Sequence, residues 1–208
     1  MNKEWSELNK TMQAQIKKKD TYKMGIDTLF NLRRQLMQTL VSFKEDLCRE
    51  DFNAIPFINA DGYHSKTIAY SIWHTVITED EQVFFTGNYQ VRINSPIITT
   101  GNELVKQQIA DFSKQLNLEE LYSYIFEVRE STEKILERFS YDELKWKIPD
   151  ERKGYLKSLN VVNCDEKAIW LIDYWCNKDI CGLIQMPFSR HWIMHTEACL
   201  RIKNKMHS

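Results

Sequence analysis

An all-α fold, a four-helix bundle with extra short helices and long loops, is what this chain of 208 residues predicts. Three observations point there. Glycine and proline number only six and four, too few for the tight turns that an all-β chain requires. Apolar residues recur near the helical period over long stretches, as with Leu29, Leu32, Leu36, Leu40 and Phe43. No break in composition and no internal repeat divides the chain. Residues 1–208 therefore read as one domain, with 1–20 as an N-terminal helical extension.

Taken in order, Ser6 to Lys19 predicts a weakly amphipathic helix with a polar end at Lys17-Lys18-Lys19-Asp20. Tyr22 to Cys48 predicts a long one with Met24 heading its apolar stripe. A short turn at Arg49 to Ala54 ends at Pro56, and 57–64 is a loop by composition. Ser65 is the expected N-cap of a helix running to about Phe85, stopped by Gly87-Asn88. Residues 88–101 look irregular, and a short helix is expected from Asn102 to about Leu116. Asn117 then caps a helix to Phe139 with Leu121, Ile125, Val128, Ile135 and Leu136 on one side. Residues 140–163, rich in charge and holding Pro149 and Gly154, predict loop with short helical turns. Asp165 opens a helical run through Trp175, which restarts near Asn177. Pro187 is the expected first position of the last helix, which runs to about Lys203.

Bulk properties exclude several classes. The net charge is −1, from 28 basic and 29 acidic residues, so the chain lacks the basic footprint of a direct nucleic-acid binder. Only Lys17-Lys18-Lys19 makes a local basic run. The N-terminal residues have no apolar signal region, and no run of about 18 apolar residues spans a membrane. Five cysteines, an odd number without paired metal-type spacing, are expected to be reduced thiols in a cytoplasmic protein.

The chemistry concentrates in the histidines. His191 and His195 are four residues apart, hence about 5–6 Å apart on one helix face. Five histidines form ten pairs, so about one such chain in ten carries this spacing by chance. Position adds weight. Phe188, His191, His195, Ala198, Cys199 and Ile202 share one face, opposite Arg190, Glu197 and Arg201. An unpartnered nitrogen on a core face costs about 1–3 kcal/mol, and a metal ion would satisfy both rings. His74, mid-helix among Ile72, Trp73, Val76 and Ile77, is the best third ligand. His64 lies in a loop and His207 in the tail. Three protein ligands make an open site of the catalytic type, whereas structural zinc is closed by four.

These residues resemble those of the DinB family (DinB/YfiT-like proteins). The likeness runs from about Tyr22 to Arg201. It rests on a long opening helix, on Trp73-His74 with Glu79 five residues on, and on a closing helix with His191 and His195. Many members continue the last histidine with Arg-Gly-Gln, where this chain has Thr196-Glu197-Ala198.

The resemblance implies an up-down-down-up four-helix bundle holding a divalent metal on His74, His191 and His195. Zinc or nickel comes first, and iron or copper is also compatible with three imidazoles. By the same resemblance, the activity expected is a thiol-dependent S-transferase or a hydrolase. Its co-substrate would be a low-molecular-weight thiol. Glu79 or Glu81 is the candidate general base, and a homodimer is expected, using apolar surface left on the first helix. Trp170, Tyr174, Trp175, Phe188 and Trp192 serve either as core or as the wall of an apolar pocket. The competing expectation is a non-catalytic, stress- or damage-responsive metal-binding protein.

Overall fold

The computed structural model describes residues 2–80 and 93–207, and every regular element among them is helical. In chain order these are α1 (Lys3–Ile16), α2 (Tyr22–Asp46), α3 (Arg49–Asn53), α4 (Ile68–Glu79), α5 (Gln107–Ser113) and α6 (Leu118–Arg138). There follow α7 (Asp150–Ser158), α8 (Glu166–Cys176), α9 (Ile180–Gln185) and α10 (Arg190–Met206). Short 3-10 turns occupy Gly62–His64 and Glu143–Lys145.

Helix α4 is the central element. Its sequence, IAYSIWHTVITE, mixes large apolar residues with Ser71, His74, Thr75, Thr78 and Glu79, and each residue from Ile68 to Glu79 is buried, as expected of a helix enclosed by others. Helices α6 and α10 both pack against α4, and both also pack against α2. The apolar cluster between them includes Leu36, Leu40, Trp73, Ile77, Ile125 and Trp192. A second cluster joins α1, the start of α2, the end of α6 and helices α7 to α9 through Met12, Leu29, Leu136, Ile172 and Phe188. Helix α1 lies along α2, with Trp5, Met12 and Ile16 buried. A Cβ added to Gly25 of α2 would come within 2.8 Å of the Ile16 backbone nitrogen. Glycine is what allows that close approach. Trp5, Met12 and Ile16 of α1 are thus buried within the chain.

Several boundaries differ from expectation. Asn2 caps α1, accepting from the Glu4 and Trp5 amides, so that helix begins earlier. Thr67, not Ser65, caps α4 by accepting from the Tyr70 amide. Helix α4 ends at Glu79, and the carboxylate of its C-cap Asp80 accepts from the Tyr124 hydroxyl at 2.6 Å. The expected continuation to Phe85 and the stop at Gly87-Asn88 lie outside the described residues. Helix α5 is shorter than 102–116 because Gly101 and Lys106 hold positive φ of 76° and 49°, which helical residues do not adopt. Helix α7, nine residues long, forms where loop with short helical turns was expected. Helix α10 starts at Arg190, three residues past Pro187. The Met186 and Phe188 amides fold back to close α9, donating to the Leu183 carbonyl. Met24 is 55% exposed and leaves the stripe of α2. Asn117 capping α6 and Asp165 capping α8 match the expectation.

No helix among the described residues is long and apolar enough to cross a membrane. All five cysteines are free thiols.

Candidate metal centre

Helix α4 brings His74, and α10 brings His191 and His195, to one point. One ring nitrogen of each lies within 4.8 Å of the others, and all three residues are buried. The pair on α10 sits one helical turn apart, with ring centres 4.5 Å apart. Each of these rings stands 5.0 Å from that of His74.

The nitrogen geometry is specific. The Nδ1–H of His74 donates to the Thr100 carbonyl at 2.6 Å, which leaves the Nε2 lone pair facing the other histidines. His191 Nε2 lies 3.3 Å from His74 Nε2. A tetrahedral ion bound to two imidazoles at about 2.0–2.1 Å separates their nitrogens by roughly 3.3–3.4 Å. That is the spacing found. The donor set therefore fits a divalent ion, which the three histidines can hold.

Burial keeps these rings neutral, the state a ligand needs. It lowers His74 to about 4, with the Thr100 carbonyl opposing and the Lys66 cation adding to the shift. His191 and His195 fall well below the ordinary range, first through burial and then through mutual repulsion within the cluster. Cys199, one turn beyond His195, has its thiol pushed up to about 12 by burial. It fills space in the core.

The surroundings of His74 are held by the segment 99–101. Tyr70, one turn before His74, stacks on its ring at 5.5 Å and 10°. The Tyr70 hydroxyl donates to the Gly101 carbonyl at 2.8 Å. A Cβ on Gly101 would lie 2.6 Å from a ring carbon of Trp73, so only glycine lets this strand of chain lie against α4. Thr100 and Gly101 thus orient the ligand helix through their carbonyls.

The three histidines open into a cavity of about 460 Å³. Trp170, Tyr174 and Trp175 line it, together with Met186, Met194 and Lys66. Three of the five aromatics named from the sequence therefore form a pocket wall. Trp192 and Phe188 do not, being fully buried in the core.

Glu79 has a different setting. Its carboxylate accepts from both terminal nitrogens of Arg33, at 2.6 and 2.9 Å, and from the Trp192 indole at 2.5 Å. Arg33 also donates to the Phe188 carbonyl at 3.0 Å and to Glu133 at 3.1 Å. Both side chains of the Arg33–Glu79 pair are fully buried. Glu81 lies outside the described residues. His64 stays at the 3-10 turn, and His207 lies 3.6 Å from Asp51.

Sequence reasoning missed Lys66, Tyr70, Thr100 and Arg33 as contributors. Tyr70 had a signal, its position four residues before His74. Thr100 had none, because any residue offers a backbone carbonyl. Comparison with protein families and with curated proteins returns no match, so the residues carry the functional argument alone.

Proposed function

We propose that this protein is a metal-dependent enzyme of the DinB-like type. In this reading α2, α4, α6 and α10 form its four-helix bundle, and His74, His191 and His195 hold one divalent ion, zinc or nickel first. The supporting observation is the 3.3 Å between the Nε2 atoms of His74 and His191. The Thr100 bond fixes which nitrogen of His74 faces inward.

The reaction we favour is S-transfer or hydrolysis on a small molecule. An ion at this site supplies Lewis acidity and favours the ionised form of a thiol or water. The chain's own residues do the rest. Three neutral imidazoles add no negative charge, so an ion held by them would keep its positive charge and would favour an anionic nucleophile. Trp170, Tyr174 and Trp175 line the cavity and supply apolar surface for the body of the substrate. Tyr70 buttresses His74, its hydroxyl committed to Gly101 and its acidity suppressed by burial. Glu79, with Arg33 and Trp192 on its oxygens, is assigned an anchoring part rather than that of general base. A closed structural ion needs four protein donors, whereas this cluster offers three and faces a cavity, which favours the catalytic reading over inert metal storage.

The test is elemental analysis of wild type, His74→Ala and His195→Ala after loading with zinc or nickel and desalting. The expected result is about one ion per chain in wild type and near none in either variant. A wild type that retains no ion overturns the proposal.

A further inference from the structure

The cavity beside the histidines has a marked charge asymmetry. Lys66 and Lys167 lie on its wall, and no Asp or Glu does among the described residues. Lys167 is exposed at the rim, and Lys66 is part-buried. The Lys66 ammonium sits 4.9 Å above the Tyr70 ring, and that ring stacks at 5.5 Å on His74. Lysine, tyrosine and histidine thus form a short ladder. The cation is near enough to lower His74 and His195 through its charge.

No carboxylate of the described residues pairs with Lys66. Asp61 borders an adjoining cavity of about 350 Å³ that Lys66 also touches, yet it makes no ion pair with the lysine. A partly desolvated ammonium without a counter-ion is costly, and an anion that arrives with the substrate offsets the cost. Low-dielectric walls strengthen that attraction further.

We propose that Lys66 is an anion-recognition residue of this cavity. The substrate it selects is a small organic acid with an apolar or aromatic body. Its carboxylate meets the Lys66 ammonium, its body lies against Trp170, Tyr174 and Trp175, and its reacting end points toward the three histidines. This rests on the reading of the cavity as the substrate site. Burial, which brings Lys66 down to about 8, acts in the same direction. A carboxylate beside it would favour the charged form that burial disfavours.

The experiment compares phenylacetate with phenylacetamide, which share shape and differ in charge. Each is titrated into the full-length protein, zinc-loaded and metal-free, and followed by calorimetry and by tryptophan fluorescence. Wild type is expected to bind the acid at least about tenfold more tightly than the amide, the worth of one charge-assisted contact. Lys66→Gln should bring the two affinities together, and Lys66→Arg should keep them apart. Quenching that is lost in Trp170→Phe places the ligand in this cavity. Equal affinities in wild type overturn the proposal. So does no binding of the acid up to roughly 10 mM, or a preference that survives Lys66→Gln. Failure of the metal reading has a separate signature: no zinc retained, with identical isotherms in both preparations.

Discussion

Acid should unfold this protein through its buried histidines. The perturbation is a drop from pH 7.5 to 5.0 in metal-free protein. An unfolded histidine takes up its proton near pH 6.5, whereas burial holds folded His74 near 4. Between those values the unfolded state binds a proton that the folded state refuses, so stability falls as pH falls. At pH 5.0 the unfolded form is about 97% protonated at this site and the folded form about 10%, a loss of about 2 kcal/mol. His191 and His195 are shifted in the same direction, so the total is larger. It is a substantial share of the 5–15 kcal/mol typical of a folded chain. The assay is urea unfolding at both pH values. With a slope of about 2 kcal/mol per molar, the part due to His74 moves the midpoint by about 1 M. The carboxylates of the rest of the chain titrate in wild type and in His74→Gln alike, so the difference between the two pH dependences isolates the cluster. The variant should lose less stability than wild type over the same interval. Equal losses would refute the account of His74 as a buried neutral ring.

Two further outcomes are expected. Arg33→Met should cost about 3–5 kcal/mol in chemical denaturation, because it strands the Glu79 charge. Adding Glu79→Gln should recover at least half of that, since glutamine still accepts from Trp192, and a double variant no better than the single one would contradict the pairing. Gly101→Ala places a Cβ against Trp73 at a positive φ. It should weaken zinc retention about 10–100-fold, as loss of a supporting hydrogen bond to a ligand does. Competition with a chromophoric chelator measures this, and an unchanged affinity would mean that segment 99–101 does not set His74.

The ligands were legible because helical geometry alone puts His191 and His195 on the face that also carries Phe188, Ala198, Cys199 and Ile202. His74 was legible because it sits mid-helix among Ile72, Trp73, Val76 and Ile77. Arg33 was within reach as well. It falls on the stripe Leu29, Leu36 and Leu40 of α2, where a cation demands a buried anion, and Glu79 on an enclosed helix is the natural one. Helix α7 was not readable, since Leu156 is its single buried residue and one apolar position shows no period. Its remaining signals were the acidic residues Asp150 and Glu151 at the start and Lys157 at the end. The Thr100 and Gly101 carbonyls were invisible for a different reason. Their role is set by where the chain passes, not by which side chains it carries.

The Arg33–Glu79 pair has a consequence for how the protein comes to hold an ion. It sets α2, α4 and α10 against one another, with Trp192 and the Phe188 carbonyl as part of the same knot, and it touches none of the three histidines. The three nitrogens converge in a scaffold whose central ion pair uses none of them, so an ion held there would not be needed to draw these helices together. Three imidazoles bind several such ions and impose little preference among them. Which ion such a site would take would then depend on the supply of metals as well as on its geometry.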